Sequence, residues 1–199
     1  MKIFITAIGT DCGKTLVSAI FCQALKADYW KPVQTGEVSD SEEILKLTQY
    51  SVNIFKEAYK LLNPVSPHLA AKLENKTIEL EGFRFPETDN HIIIEGAGGI
   101  LVPLNDKGDF FIDYIAHQNI ETVLVIRLYL GCINHSLLSI NELKNRKVKI
   151  KGLIFNGNDT FGAIDIITSL SRISSILHIQ EEEIIDQDTV LKYSQLLKI

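Results

Sequence analysis

Gly13-Lys14-Thr15 stands where an apolar run (residues 3–5) has passed through small, turn-forming residues and a helical pattern begins. That layout suits phosphate. Glycines let backbone N–H groups close around an anion, the helix presents its positive end, the lysine neutralises charge, and the threonine hydroxyl can hold Mg²⁺. The spacing departs from the usual Gly, four residues, Gly-Lys-Ser/Thr. Only three residues separate Gly9 from Gly13, and Ala7 stands six positions before Gly13. By itself such a loop is weak evidence against an ordinary strand-to-helix turn, but Leu16, Val17, Ile20, Phe21 and Ala24 recur at three-to-four spacing, as a helix packed on a sheet requires.

Other chemistry-bearing residues fall at comparable places. Lys31 precedes Pro32, which ends a short strand (27–33), Asp40 opens a helical stretch (40–47) with Ser39 or Asp40 as its cap, and Glu95 closes the apolar run 91–94 before Gly96-Ala97-Gly98-Gly99. Thr15, Asp40 and Glu95 make a hydroxyl-and-carboxylate set of the kind Mg²⁺ prefers. Alone, each acid could be merely solvated or a helix cap, Lys31 a surface lysine, and the glycine run a tight turn. Together they point to one rim of a sheet. Two lysines there exceed what nucleotide binding needs, and suit a substrate that becomes anionic and accepts a γ-phosphoryl group.

The elements that must position these residues alternate. Non-alternating apolar runs at 91–95, 122–126 and 152–155, with another at 176–179, read as strands covered on both faces, separated by helical patterns at 110–118, 136–143 and 163–171. This gives an α/β fold, a doubly wound, mostly parallel sheet with helices on both faces, in which ligands gather beyond the strands' carboxyl ends. Residues 54–83 read as irregular short helices broken by Asn63-Pro64 and Ser66-Pro67. The 199 residues suit a single domain over 1–199.

Composition narrows the function classes. A 46% apolar content excludes disorder, and a net charge of −5 argues against general nucleic-acid binding. The basic stretch Lys144, Arg146, Lys147, Lys149 and Lys151 follows a helical segment, where cations are favoured anyway. No apolar run is long enough to cross a membrane, no secretory signal is evident, and three unpaired cysteines (Cys12, Cys22, Cys132) suit a reducing compartment, so a cytoplasmic protein is expected. Cys22 falls on the apolar face of the first helix.

The variant loop, Lys31-Pro32-Val33-Gln34-Thr35-Gly36, Asp40, Ser66-Pro67-His68, Glu95-Gly96-Ala97-Gly98-Gly99 with Pro103-Leu104, and Leu130-Gly131-Cys132-Ile133-Asn134-His135 occur in that order. In these the chain resembles the dethiobiotin synthetases, P-loop NTPase-like ligases of biotin synthesis. The resemblance implies a homodimeric, Mg²⁺-dependent enzyme that joins CO₂ to 7,8-diaminononanoate as a carbamate, activates it with the γ-phosphate of ATP, and closes the ureido ring. It implies that Lys14 and Lys31 hold carbamate and γ-phosphate, and that Thr10 and Asp11 lie near the reacting amines and phosphates. It further implies a nucleotide site of 11–16 (Asp11, Cys12, Gly13, Lys14, Thr15, Leu16), Glu95, Gly96, Ala97, Gly98 and Asn156, and a metal on Thr15, Asp40 and Glu95. Thr35 and the helix start at Gly131, Cys132, Ile133 and Asn134 would bind substrate, the latter across a dimer interface. His135 is expected to pack or cap rather than react.

Two departures stand out. Either Ala7 replaces the family's first loop glycine, leaving Gly9 at a normally acidic position, or Gly9-Thr10-Asp11 is the family's Gly-Thr-Asp in a loop shortened by two. The family's further base-contacting segment is not evident beyond residue 179. Asn156-Gly157-Asn158-Asp159 also has the spacing of a guanine-reading motif, against an ordinary turn with Asp159 capping a helix; ATP is expected, with GTP as the alternative. The rival class is a switch ATPase of the nitrogenase-iron-protein-like branch, whose usual second loop lysine is absent.

Overall fold

The computed structural model describes residues 1–199. Its strands are β1 (Lys2–Ala7), β2 (Asp28–Trp30), β3 (Val33–Thr35), β4 (Ile54–Phe55), β5 (Tyr59–Leu61), β6 (Ile92–Gly99), β7 (Glu121–Arg127), β8 (Ile150–Asn156) and β9 (Ser175–Ile179). The helices are α1 (Lys14–Leu25), α2 (Asp40–Leu47), α3 (Pro67–Leu73), α4 (Phe111–His117), α5 (Cys132–Asn145), α6 (Ala163–Ser171) and α7 (Gln187–Leu196). Seven strands form a sheet in the order β4-β2-β6-β1-β7-β8-β9, parallel throughout, while β3 and β5 pair separately.

Apolar runs without alternation bury both faces, and the two faces sort by residue parity. Ile3, Ile5, Ile93, Val123 and Val125 point to one side, where α1, α2 and α7 contribute Val17, Ile20, Ile44, Val190 and Tyr193. Phe4, Ile92, Ile94, Leu124 and Ile126 point to the other, against Phe111 and Ile115 of α4, Ile140 of α5 and Ile167 of α6. From β1 the chain builds outward first towards β2 and later towards β9, so the switch point of the doubly wound sheet lies beyond the carboxyl end of β1.

The stretch 54–83 differs from the expected run of short helices. It holds β4, β5, α3 and a single 3₁₀ turn at Leu80–Gly82. Strands of two and three residues are too short to show alternation, and they exist because Tyr29 and Val33 offer them partners distant in sequence. Helix α5 begins at Cys132, earlier than the pattern 136–143, and β6 runs on through the glycines to Gly99. The tail, in which no element was expected, forms α7: Asp186 accepts from the Thr189 backbone N–H as its cap, and Val190 and Tyr193 bury against the α1 side. The basic stretch after α5 is largely paired. Arg146 meets Asp113 and Glu142, Lys149 and Lys151 meet Glu121, and Lys144 donates to the Ser171 carbonyl.

Candidate active site

β1 ends at Ala7, beside Val125 of β7, so the loop to α1 spans residues 8–13. Its turn is made by two residues of left-handed backbone, Asp11 at φ 54° and Gly13 at φ 93°. Gly9 lies beside Gly99 of β6: a Cβ on Gly99 would stand in ordinary contact with the Gly9 Cα, at 3.5 Å. That approach is made possible by a bulge in β6. Pairing with β1 jumps from Ile5–Glu95 to Ala7–Gly99, so that Gly96, Ala97 and Gly98 stand against the single Thr6, two residues more than a regular ladder holds. Lys14 folds back over the loop, its Nζ 3.3 Å from the Gly9 carbonyl oxygen. Burial lowers the Lys14 pKa, and the nearby Lys31 charge adds to the effect. From below, Asn156 at the end of β8 donates through Nδ2 to the Cys12 carbonyl oxygen at 2.9 Å, tying the loop to the sheet.

Beside this loop the charged residues converge. In register, Trp30 pairs with Ile94, so Lys31 emerges next to Glu95. The Lys31 Nζ lies 2.8 Å from Glu95 Oε1, 2.7 Å from Asp40 Oδ2 and 3.0 Å from the Gly96 carbonyl oxygen. Thr15 Oγ1 lies 3.1 Å from both Asp40 Oδ1 and Glu95 Oε1. Burial opposes the charge on Lys31, but the Glu95 and Asp40 carboxylates outweigh it and raise its pKa.

These groups floor a cleft of about 700 Å³. Thr10, Asp11, Gly13, Lys14 and Thr15 line it on the loop side, Lys31, Thr35 and Asp40 on a second, and Glu95, Ala97 and Gly98 on a third. Pro64 and Ser66, with Pro67 at the start of α3, close the wall. Cys12, Leu16, Gly96 and Asn156 stand behind this lining. Gly131, Cys132, Ile133 and Asn134 start α5 and do not reach the cleft of their own chain. Instead Gly131 and Asn134 are exposed, beside Leu130, which is 81% exposed. His135 packs on Tyr129, with Nδ1 and the phenol oxygen 2.5 Å apart.

No role was expected from the sequence for two residues at the site, although Gln34 lies within the Lys31 to Gly36 motif. Gln34 accepts from the Asp40 backbone N–H at 3.2 Å and donates to the Val38 carbonyl at 3.0 Å, so it fixes the turn that delivers Asp40. Tyr29 is fully buried and donates to Glu95 Oε2 at 2.8 Å. Burial, then the neighbouring Glu95 charge, push its phenol pKa well up. Tyr29 is two residues before Lys31 on an extended segment, and that same-face spacing was the available clue.

A parallel doubly wound sheet with a Gly-Lys-Thr loop at its switch point, and the lysine folded back across that loop, defines a P-loop nucleotide-dependent enzyme. Solved structures share the fold: a ParA family ATPase from Chlorobium tepidum (TM-score 0.55, 14% identical, covering 98% of this chain and 90% of that one) and the cell division ATPase MinD from Pyrococcus furiosus (TM-score 0.57, 14% identical, covering 98% and 97%). A family model described as "AAA domain" matches residues 1–189. The chain is 48% identical over 196 residues to the ATP-dependent dethiobiotin synthetase BioD of Cytophaga hutchinsonii, covering 97% of this chain and 95% of that protein. It is 43% identical to the enzyme of that name from Christiangramia forsetii (96% and 93% covered) and 42% identical to that of Brucella ovis (88% and 84%). The chain belongs to the dethiobiotin synthetase family.

Proposed function

We propose that this chain is an ATP-dependent dethiobiotin synthetase, a ligase of biotin synthesis acting as one domain over residues 1–199. The observation that carries the proposal is the convergence of Lys14 and Lys31 on one cleft with Thr15, Asp40 and Glu95. An amine of 7,8-diaminononanoate adds to CO₂ and loses a proton, giving a carbamate. The carbamate oxygen attacks the γ-phosphorus of ATP, ADP departs, and a carbamic-phosphoric mixed anhydride remains. The second amine attacks its carbonyl carbon and expels phosphate as the ureido ring closes. Lys14 and Lys31 neutralise the two anions that must meet, which unaided would repel. Thr10, Thr35 and the loop N–H groups orient them, and Asp11, Cys12, Gly13, Leu16, Gly96, Ala97 and Gly98 shape the phosphate end.

Mg²⁺ fits this donor set. No cluster of three or more His, Cys, Asp or Glu side chains exists in the chain, so it builds no all-protein metal cage. The carboxylates of Asp40 and Glu95 with the Thr15 hydroxyl leave coordination positions for phosphate oxygens and water, as Mg²⁺ requires. When bound, the ion neutralises phosphate charge during transfer.

ATP is favoured over GTP because Asp159 is already used: its carboxylate oxygens accept from the backbone N–H groups of Ala163 and Ile164 at 2.7 and 3.2 Å, capping α6. Calorimetry is expected to show ATP binding more tightly than GTP; equal or tighter GTP binding would reverse the assignment. Asn156 holds the loop through Cys12, and the base contact that the family resemblance implies for it is part of this proposal. Free thiols at Cys12, Cys22 and Cys132, all buried, suit the cytoplasm, and no helix is long and apolar enough to cross a membrane.

In this scheme the start of α5, where Gly131 and Asn134 are exposed, completes the cleft of a second copy, where its N–H groups bind the substrate's remote carboxylate. Leu130 and Leu138 are 81% and 60% exposed beside it. A Leu130→Asp/Leu138→Asp variant should sediment as a monomer, with KM for the diamine raised about tenfold or more and ADP affinity unchanged. A monomer with unaltered KM would remove the shared site.

The deciding experiment follows phosphate release from Mg-ATP and bicarbonate, with and without 7,8-diaminononanoate, and weighs the product by mass spectrometry. Diamine-dependent release with a cyclic urea product is expected. Release indifferent to the diamine would favour a switch ATPase.

A further inference from the structure

We propose that Tyr29 is a positioning residue for the metal-binding carboxylate: its phenol holds Glu95 Oε2 so that Oε1 is presented to the cation seat beside Thr15 and Asp40. This rests on the assignment of Thr15, Asp40 and Glu95 to Mg²⁺.

The carboxylate of Glu95 is divided between two environments. Oε1 faces the cleft and meets Thr15 Oγ1 at 3.1 Å and Lys31 Nζ at 2.8 Å. Oε2 turns inward and meets the Tyr29 hydroxyl at 2.8 Å. A terminal carboxylate torsion has broad preferences of its own, so its plane is fixed by whatever donates to each oxygen. Glu95 is 1% exposed, and water is not at hand to replace the phenol. The phenol in turn cannot wander. Tyr29 is fully buried in the apolar layer that includes Val17 of α1, Ile44 of α2 and Ile93 of β6, the elements that carry Thr15, Asp40 and Glu95 themselves. Tyr29 thus shares one apolar cluster with side chains from all the segments that supply metal ligands, pairs in the sheet with Ile93 two residues before Glu95, and donates to one of those ligands. Outer hydrogen bonds of this kind typically set metal affinity by ten- to a hundredfold.

Tyr29→Phe keeps the ring and removes only the donor. In enzyme saturated with ADP, Mn²⁺ binding followed by electron paramagnetic resonance is expected to weaken about tenfold. Half-saturation of turnover by Mg²⁺ should rise in parallel, with kcat at saturating Mg²⁺ within about twofold of wild type. Trp30→Phe is the control. It removes the neighbouring, partly buried hydrogen bond from Trp30 Nε1 to the Lys56 carbonyl at 3.1 Å, which has no link to Glu95, and should leave Mn²⁺ affinity unchanged.

Undiminished Mn²⁺ binding by Tyr29→Phe overturns the role of Tyr29, as does an equal loss in Trp30→Phe. Wild-type enzyme that binds no Mn²⁺ at this site overturns instead the metal assignment on which the proposal rests. A measurement on the native fold covers the case of a poorly folding variant: with 3-fluorotyrosine at position 29, the ¹⁹F resonance should shift when Mg²⁺ is added to the ADP complex. An unmoved resonance counts against the proposal.

Discussion

Lys31→Ala is expected to abolish turnover, by on the order of a thousandfold or more, while nucleotide binding stays within a few-fold of wild type. The lysine does not touch the loop that cradles phosphate; it reaches the cleft from the end of β2, with Nζ against Glu95, Asp40 and the Gly96 carbonyl. Removing it therefore spares the site for ATP and removes the cation beside the acceptor. A second consequence separates this lysine from an ordinary surface charge. Glu95 is 1% exposed and would be left facing Asp40 with no ammonium between them. Breaking a buried pair on one side typically costs about 3–5 kcal/mol. For a chain of this size, that corresponds to a melting temperature lower by on the order of 10 °C. Because a divalent ion on Asp40, Glu95 and Thr15 would restore the missing positive charge, added Mg²⁺ should recover much of the lost melting temperature without recovering turnover. Near-normal turnover in Lys31→Ala would remove Lys31 from the chemistry. A melting temperature indifferent to Mg²⁺ would count against a metal on those carboxylates.

The second large effect is expected at Gly13→Ala. The residue sits at φ 93°, where a side chain adds about 1–2 kcal/mol of strain. The added Cβ would also stand 2.4 Å from Asn156 Nδ2, the atom that anchors the loop through the Cys12 carbonyl. The Asn156 amide must give way, and its hydrogen bond to the Cys12 carbonyl, worth about 1 kcal/mol, is lost with it. Together these amount to about a hundredfold loss in affinity for ADP or an ATP analogue by calorimetry. The main sheet does not depend on this contact and should remain folded by circular dichroism. Affinity within threefold of wild type would show that the Asn156 anchor does not set the loop's shape.

How much of this was written in the sequence depended on range. Helices α2 and α6 fall at the expected limits, 40–47 and 163–171, because their signals are local: a turn residue ahead and an apolar period within. The continuous runs of β6, β7 and β8 announced burial on both faces in the same way. The short strands β4 and β5 did not show, since residues that pair with Tyr29 and Val33 carry no mark of that pairing. Helix α7 was hidden by the acidic stretch before it and is revealed only by Val190 and Tyr193 packing on the α1 side. At the site, Lys14, Thr15, Lys31, Asp40 and Glu95 were legible as charged or hydroxylated residues at element ends, and the fold gathers all of them. Gln34 and Tyr29 were not, because each acts through another residue and looks from outside like core or loop.

The place of β1 in the sheet has a consequence for how the molecule comes into being. β1 lies between β6 and β7, and pairs only with segments that are made some ninety and a hundred and twenty residues after it, as in Lys2–Ile92 and Ile3–Glu121. Until then its two edges are open and apolar, the condition under which nascent chains associate wrongly. The nucleotide loop, made well before β8, is shaped only when Asn156 arrives to hold it. Competence to bind ATP therefore waits on β8, more than a hundred residues after the loop itself.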